Sequence, residues 1–301
     1  MEPATGRELS LRVGASQVQA HYHELGPPEG VPVLFAHTGG AAASAWMCWY
    51  RNLAVFAAAG YRVLAPDNVG FGQTAVVDGG PVASPAFLLA FLDATGVERA
   101  HLLGNSGGGM AITTLASEHP ERVRSLVLSG GEPRVATPAA AAITPRLGRT
   151  ARMDLVRAVL SKPEVTLEDM RVTTAAFFCN PTHPEVETVA RLRLDTIRLP
   201  GAQERDRKAA FGQIEGGRAT TGDGVFRRIQ APTLLLHGRD EPGFYAAADE
   251  APLLEAALAV VRLIPRCDAL VLGGCGHWPQ LEMAERYNQA CLRFLAAAAA
   301  G

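Results

Sequence analysis

The chain has 301 residues, of which 48% are hydrophobic and 19% charged, and its formal net charge at pH 7 is −2. This composition is typical of a folded globular protein rather than a disordered one, and the near-neutral charge does not indicate a nucleic-acid partner. The sequence contains no run of about 18 apolar residues, so no membrane-spanning helix is expected.

The predicted elements begin with an antiparallel hairpin. Residues 9–13 and 18–22 alternate between apolar and polar side chains on either side of Gly14-Ala15. Continuous apolar runs then alternate with helical segments, which indicates an α/β fold with a mostly parallel sheet covered by helices on both faces. The predicted strands are 31–36, 61–65, 100–103, 123–128, 233–237 and 269–272, and the first predicted helices are 44–59, 85–94 and 110–118.

One region departs from this alternation. Between about residues 133 and 228 there is no convincing buried strand, and segments 153–160, 167–178 and 184–198 carry apolar side chains at helical spacing. We interpret 133–228 as a helical lid inserted between two strands, so that 1–132 and 229–301 form the core. The alternative is a loosely ordered insert. The alanine-rich end, residues 296–301, is expected to fray.

The segment Gly104-Asn105-Ser106-Gly107-Gly108 lies between a predicted strand and a predicted helix. This G-x-S-x-G pattern is a nucleophile elbow, in which a serine on a sharp turn is held above a sheet. Gly104 and Gly108 allow the close packing that the turn requires. The alternative is a glycine-rich turn with a chance serine.

A serine nucleophile needs a base and an acid that orients the base, and in α/β-hydrolases the chain order is serine, acid, histidine. Asp240 follows the strand at 233–237, and His277 follows the strand at 269–272. Both residues therefore lie beyond the carboxyl ends of strands, where the sites of α/β proteins form. Of eight histidines, His277 alone lies in the expected loop, whereas Glu241 and Asp249 remain alternatives to Asp240.

An acyl-transfer serine also needs an oxyanion hole. One backbone N–H is expected from Gly107, directly after the serine. The second is expected from Gly39, in the loop that follows the strand at 31–36. The alternative for Gly39 and Gly40 is an ordinary tight turn.

The five cysteines are widely spaced, and the first residues lack an apolar signal core. This pattern predicts free thiols in a reducing cytoplasm. The sequence has neither a C-x-x-C pair nor an H-E-x-x-H motif, so no metal is predicted, and no external cofactor is expected.

The core of the chain resembles the meta-cleavage product hydrolases. The resemblance is carried by Gly274-Cys275-Gly276-His277-Trp278-Pro279-Gln280-Leu281-Glu282, with Tyr287-Asn288 and Phe294-Leu295 after it. These enzymes cleave a carbon–carbon bond in 2-hydroxy-6-oxo-dienoate compounds, which are ring-fission products of aromatic degradation. The resemblance implies a small-molecule substrate, no cofactor and a homodimer.

The resemblance also implies a role for several residues. Ser106, Asp240 and His277 would form the triad, and Asn105 would help to hold the substrate. Trp278 would lie near the substrate carboxylate. In the lid segment 191–195, Arg193 matches the arginine that binds this carboxylate, for which a guanidinium fork is suited. The alternative for Arg193 is a solvated helix charge beside Asp195.

The chain departs from the family at two places. Ala41-Ala42-Ala43-Ser44 stands where the family often has a Gly-Pro-Gly stretch, and Cys48 stands where an asparagine contacts the oxygenated end of the substrate. Because a thiol is a weak hydrogen-bonding group, the polarity of the pocket is expected to differ. A carboxylesterase or lactonase with the same triad is therefore the alternative function. Cys48 itself is interpreted as a small packing residue rather than a reactive thiol.

Overall fold

The computed structural model describes residues 5–76, 84–130, 151–210, 222–240 and 252–300. The strands in these ranges are β1 Gly6–Val13, β2 Ser16–Leu25, β3 Pro32–Ala36, β4 Arg62–Pro66, β5 Ala100–Asn105, β6 Val123–Ser129, β7 Thr233–Gly238 and β8 Cys267–Leu272. The helices of the core are α1 Ala45–Trp49, α2 Leu53–Ala58, α3 Pro85–Ala94, α4 Gly107–Glu118, α10 Pro252–Leu263, α11 Pro279–Glu282 and α12 Ala284–Ala300. Between β6 and β7 lie α5 Ala151–Leu160, α6 Leu167–Ala175, α7 Glu185–Ile197, α8 Ala202–Ala210 and α9 Asp223–Arg227.

The strands of the described ranges form one sheet in the order β1-β2-β4-β3-β5-β6-β7-β8. Strand β2 is antiparallel to both of its neighbours, whereas β3 to β8 pair in parallel. This confirms the predicted hairpin and the predicted mostly parallel sheet. Because parallel strands end at the same edge, the loops after β3, β5, β7 and β8 meet above that edge.

The sheet is buried on both faces, as the continuous apolar runs predict. In β3, Val33 and Phe35 pack into a core cluster with side chains of α1, α2 and α12. The alternate residues Leu34 and Ala36 face a second cluster, built with α3, α4 and α10. Successive strand residues point to opposite faces, so a strand in the middle layer must be apolar throughout.

Two predicted helices end differently from expectation. The single helix predicted at 44–59 is two helices, α1 and α2, because the buried Asn52 between them donates its side-chain amide to the Gln280 carbonyl and to the Asn288 side chain. The helix predicted to reach residue 178 ends at Ala175, because the carbonyl of Phe177 accepts a hydrogen bond from the His277 N–H. Both breaks result from contacts with distant parts of the chain.

The described part of segment 133–228, which we interpret as a lid, is helical, and its apolar side chains form a cluster that also includes Ala42 of the loop after β3. Val156, Leu160, Met170 and Leu194 from α5, α6 and α7 pack together there. Helix α8 was not among the predicted helices. The first lid boundary, near residue 133, lies outside the described residues.

At the other end of the chain, the tail expected to fray continues α12 as far as Ala300, which agrees with the high helix propensity of alanine.

Each helix within the described ranges is too short or too polar to cross a lipid bilayer.

The glycines of the elbow allow α4 to approach the sheet closely. A β-carbon on Gly108 would lie 2.2 Å from the Ala36 carbonyl oxygen and 2.5 Å from that of His37. A β-carbon on Gly104 would lie 2.8 Å from the Gly109 backbone. These neighbours are main-chain atoms that cannot rotate away, so the packing excludes any larger residue.

We therefore expect Gly108→Ala to lower the free energy of unfolding by about 2 kcal/mol or more, because overpacking against backbone forces the strand and helix apart. Urea denaturation followed by circular dichroism measures this change. Gly224→Ala is the matched control, since Gly224 lies in helix α9 with its nearest neighbour 3.6 Å from the new β-carbon. The packing explanation is wrong if the two variants are equally stable.

Candidate active site

Ser106 lies at the turn from β5 to α4 in a strained backbone conformation. Its φ and ψ are 52° and −118°, one of two positive φ angles among the described non-glycine residues. The conformation is held by a 2.9 Å hydrogen bond from the Ser106 N–H to the Ser129 carbonyl. The strand, strained serine and helix are the local geometry predicted for a nucleophile elbow.

The two residues predicted to form the oxyanion hole lie next to each other. The Cα of Gly107 is 3.8 Å from the position that a β-carbon would take on Gly39. Gly107 is the first residue of α4, where backbone N–H groups have no partner within the helix. The loop after β3 and the start of α4 therefore converge beside Ser106, as the oxyanion hypothesis requires.

His277 is buried in the loop after β8 and is fixed to both the lid and the elbow. Its N–H donates to the Phe177 carbonyl at 2.9 Å, and its carbonyl accepts from the Asn105 side chain at 3.2 Å. The same Asn105 amide also lies 3.2 Å from the Ser129 carbonyl and 3.3 Å from the Gln280 side chain. Asn105 thus joins the elbow to the histidine loop, a positioning role in addition to the predicted contact with substrate.

Glu282 holds the histidine loop against the lid, a role that the sequence analysis missed. Its carboxylate accepts from the Gly276 N–H at 2.6 Å and from the Asn180 N–H at 3.1 Å. A carboxylate that accepts hydrogen bonds from backbone N–H groups of two segments fixes the distance between those segments. Glu282 is the last residue of the motif at 274–282, but only the fold shows its partners. One is the backbone N–H of Gly276 in the histidine loop, and the other is that of Asn180 in the lid segment.

Phe177 links the predicted carboxylate-binding residues to His277. Its ring stacks on Trp278 with 4.3 Å between centroids and lies 5.5 Å from the His277 ring. The guanidinium carbon of Arg193 is 5.9 Å from the Phe177 centroid. Arg193, Trp278 and His277 therefore all lie around the Phe177 ring.

Arg193 points inward from α7 and is only 2% exposed, so the alternative of a solvated helix charge does not hold. Its guanidinium donates to the hydroxyls of Thr173 and Thr174 and to the Ala41 carbonyl. Desolvation lowers its pKa to about 10, although the nearby Asp206 charge acts in the opposite direction. Arg193 remains a cation at neutral pH, and it forms no ion pair with a carboxylate of the described residues.

Cys48 is fully buried in the core beside the site. Burial raises the pKa of its thiol to about 12, so it is not a thiolate at neutral pH. Its sulfur lies 3.4 Å from the Gln280 side-chain nitrogen, and Gln280 also contacts Asn105. These contacts agree with the packing interpretation, and a contact between Cys48 and substrate stays a prediction.

Asp240 follows β7 as predicted, and its described side-chain contacts are with Arg239 and Gly274. Its carboxylate accepts from the Arg239 guanidinium at 2.9 and 3.0 Å and from the Gly274 N–H at 2.6 Å. The hydrogen bonds from Arg239, first, and from Gly274 lower its pKa. The acid role of Asp240 stays a prediction, and the alternatives Glu241 and Asp249 lie outside the described residues.

A buried ion pair on α8 was also missed by the sequence analysis. The Arg205 guanidinium lies 2.9 Å from the Asp206 carboxylate, and both side chains are buried. Asp206 also accepts a 2.7 Å hydrogen bond from the Ala42 N–H. Burial raises the pKa of Asp206, while Arg205 opposes the shift. The many charged residues of the segment 202–210 do not indicate that one face of this helix is buried against the rest of the protein.

Within the described ranges, no three histidine, cysteine or acidic side chains are grouped as ligands for a metal ion.

Comparison with known proteins agrees with this architecture. The sequence profile of the α/β hydrolase fold family matches residues 31–284. A 2-hydroxy-6-oxononadienedioate/2-hydroxy-6-oxononatrienedioate hydrolase of Paraburkholderia phymatum is 33% identical over 98% of this chain and 96% of its own length. A 2-hydroxy-6-oxo-6-phenylhexa-2,4-dienoate hydrolase of Comamonas testosteroni is 30% identical over 91% of this chain and 90% of its own. The chain belongs to the meta-cleavage product hydrolases of the α/β-hydrolase family.

A solved structure supports this assignment. The meta-cleavage product hydrolase of Pseudomonas fluorescens IP01 superposes with a TM-score of 0.76 at 27% identity, covering 97% of this chain and 98% of the other. The likeness extends over nearly the whole of both chains.

The thiols of this hydrolase provide a test of the packing interpretation of Cys48. All five cysteines are free, with Cys48 buried and Cys179 partly exposed. We expect iodoacetamide at pH 8 to alkylate Cys179 first and Cys48 only after unfolding, because burial blocks access and the Cys48 pKa is about 12. Peptide mass mapping gives the order, and urea-denatured protein is the control. Alkylation of native Cys48 as fast as Cys179 would favour a reactive thiol.

The orienting acid is tested by neutralising each candidate. We expect Asp240→Asn to lower kcat by about 10³- to 10⁴-fold if Asp240 orients His277, which is the usual effect of losing that acid. Glu241→Gln is measured beside it with the same substrate. A near-parent kcat for Asp240→Asn together with a large loss in Glu241→Gln would transfer the role to Glu241 and leave Asp240 as a turn residue.

Proposed function

We propose that this chain hydrolyses a carbon–carbon bond in a 2-hydroxy-6-oxo-dienoate, with Ser106 and His277 at the reacting carbonyl. The observation that carries the proposal is the buried Arg193 cation over the Phe177 ring. The Arg193 guanidinium has neutral acceptors in Thr173, Thr174 and Ala41, but it forms no ion pair with a carboxylate of the described residues, and burial of an unpaired charge is costly. A substrate carboxylate would supply the missing charge.

Two buried donors without acceptors also support binding of the substrate carboxylate near Phe177. Among the described residues, neither Nε of Arg193 nor Nε1 of Trp278 has a hydrogen-bond partner. Unsatisfied buried donors are uncommon, because each has lost its bond to water. Both belong to side chains that contact Phe177, and we propose that the oxygenated end of the substrate supplies their acceptors.

Asn105 offers a complementary acceptor. Its side-chain oxygen is buried without a donor in the described part of the chain, while its nitrogen holds the His277 loop. An acceptor at this point would bind the 2-hydroxyl of the substrate. Arg193, Trp278 and Asn105 would then hold the oxygenated end and leave the 6-oxo group towards Ser106.

The chemistry begins with a proton transfer. A dienolate is a poor leaving system, so it must first be protonated at carbon to give the keto form, whose departing carbanion is stabilised as an enolate. The Arg193 cation would favour this step by holding the carboxylate and 2-oxygen in one plane. General acid–base catalysis of this kind contributes about 10²- to 10⁴-fold.

Hydrolysis then follows at the 6-oxo carbon. His277 would take the proton from Ser106, or from a water, as oxygen attacks that carbon, and the Gly39 and Gly107 N–H groups would stabilise the oxyanion. Each such donor contributes about 3 kcal/mol. Breaking the carbon–carbon bond and adding water give a carboxylic acid and a 2-hydroxydienoate, with no external cofactor in the balance.

The group beyond the scissile bond is open to experiment. The relative from Paraburkholderia phymatum is named for a dioate, and the relative from Comamonas testosteroni for a 6-phenyl compound. A substrate panel should therefore include both types. A homodimer and a cytoplasmic location stay predictions from the resemblance and the cysteine pattern.

The proposal is tested by following the loss of visible absorbance when the protein is mixed with ring-fission dienolates. We expect the parent to bleach at least one dienolate, Ser106→Ala to bleach it at least about 10³-fold more slowly, and Arg193→Met to lose about 100-fold or more in kcat/KM through the lost charge-assisted contact. Arg191→Met is the matched control, since Arg191 lies on the same helix but is 62% exposed.

A p-nitrophenyl ester without a carboxylate shows whether Arg193 binds the substrate or only stabilises the fold. Arg193→Met should reduce ester turnover at least tenfold less than dienolate turnover, because the ester does not use the carboxylate contact. Equal losses on both substrates would assign Arg193 a structural role. Ester turnover through Ser106 with no bleaching of any dienolate would instead favour the carboxylesterase or lactonase alternative.

A further inference from the structure

Two lid helices hold the same short segment of the loop after β3. The Arg193 guanidinium on α7 donates to the Ala41 carbonyl at 3.2 Å, and the Asp206 carboxylate on α8 accepts from the Ala42 N–H at 2.7 Å. Ala42 is 0% exposed and Asp206 3%. The loop is thus held from the lid side by one donor and one acceptor, both shielded from water.

Ala42 has a backbone conformation that alanine rarely adopts. Its φ is 56°, in the left-handed region, where the β-carbon crowds the neighbouring carbonyl oxygen. Glycine populates this region freely because it has no β-carbon. The conformation of Ala42 therefore has to be maintained by contacts elsewhere, and the described ones are the Asp206 hydrogen bond and packing of its methyl group into the lid cluster of Val156, Leu160 and Leu194.

Asp206 is itself held in place. The Arg205 guanidinium lies 2.9 Å from the carboxylate oxygen that does not face Ala42. Arg205 in turn lies 5.8 Å from the centroid of the Phe71 ring, within the range of a cation–π contact. The carboxylate is thus fixed on one side by Arg205 and directed on the other at Ala42.

The segment held by Asp206 continues into the predicted oxyanion hole. The Ala43 N–H donates to the Gly40 carbonyl, which closes a turn over residues 40–43 directly after Gly39. Gly39 packs against Gly107 beside Ser106. A positive φ at Ala42 restricts the turn types that residues 40–43 can adopt, and Gly39 is bonded directly to the first residue of this turn.

We propose that Asp206 is a positioning residue for the oxyanion hole: by holding the Ala42 N–H, it keeps the alanine in the left-handed conformation and so aims the Gly39 N–H at the reacting oxygen. This inference rests on the proposed function, because it assigns Gly39 and Ser106 the roles given there. The lid of this chain would then act in the chemical step as well as in covering the substrate.

The test is a double-mutant cycle between Asp206 and Ala42. We expect Asp206→Ala to lower kcat about 10- to 100-fold on both dienolate and p-nitrophenyl ester, with KM changed less than threefold, since an oxyanion contact acts mainly in the transition state. Asp206→Asn, whose amide oxygen can still accept from Ala42, should lose less. Glu204→Ala on the exposed face of the same helix is the control.

Ala42→Gly supplies the rescue that a merely structural role would not give. Because glycine adopts a positive φ without help, Asp206→Ala in the Ala42→Gly background should recover at least half of the lost activity on a logarithmic scale. Thermal unfolding of each variant checks that the protein is folded. If Asp206→Ala does not fold, Asp206→Leu, which fills the buried space and cannot accept from Ala42, takes its place in the cycle.

Covalent labelling of Ser106 distinguishes failure of this inference from failure of the proposed function. The rate of phosphonylation of Ser106 by a fluorophosphonate, measured by intact mass, depends on the serine, the histidine and the oxyanion hole but not on the natural substrate. A drop in this rate in Asp206→Ala with rescue by Ala42→Gly supports the positioning role of Asp206 even if no dienolate is cleaved. Equal losses in both backgrounds, or no loss in folded protein, would overturn it.

Discussion

The close approach of helix α4 to strands β3 and β5 is the constraint on which the rest of the site depends. It brings the Gly108 backbone against the carbonyls of Ala36 and His37. With the helix at this distance, the connecting residue Ser106 has to turn sharply, which accounts for its positive φ. The same approach places the start of α4 beside the loop after β3, so the predicted nucleophile and both predicted oxyanion donors are positioned by one packing contact.

The lid is built into this site rather than resting on it. The Phe177 carbonyl accepts a hydrogen bond from the His277 N–H, and the Phe177 ring stacks on Trp278. The turn after α6 therefore forms part of the surroundings of His277. Glu282 ties the same turn to the histidine loop through backbone N–H groups. Arg193 reaches across to the Ala41 carbonyl. An arginine buried in this way, with no ion pair to a carboxylate of the described residues, suits an enzyme whose substrate carries a negative charge at one end.

The parts of the fold that could be predicted from the sequence are those with local causes. Alternating and continuous apolar runs gave the hairpin and the parallel strands, because burial on one or two faces imposes those patterns directly. The helix at 44–59 was predicted as continuous because nothing near Asn52 in the sequence signals its contact with Asn288. Helix α8 was passed over for the same reason, since its charged residues do not show which of them are covered.

The sequence by itself determined the nucleophile elbow, the histidine loop and the order in which they occur, since glycine and serine at fixed spacing encode a local turn and the loop motif is contiguous. Only the tertiary structure decided that Arg193 faces inward, that Asp240 is engaged by Arg239 and Gly274, and that Asp206 holds Ala42. The Asp206 contact joins residues 164 positions apart. Which face of a polar helix is covered depends on the surface packed against it, and that surface is specified elsewhere in the chain.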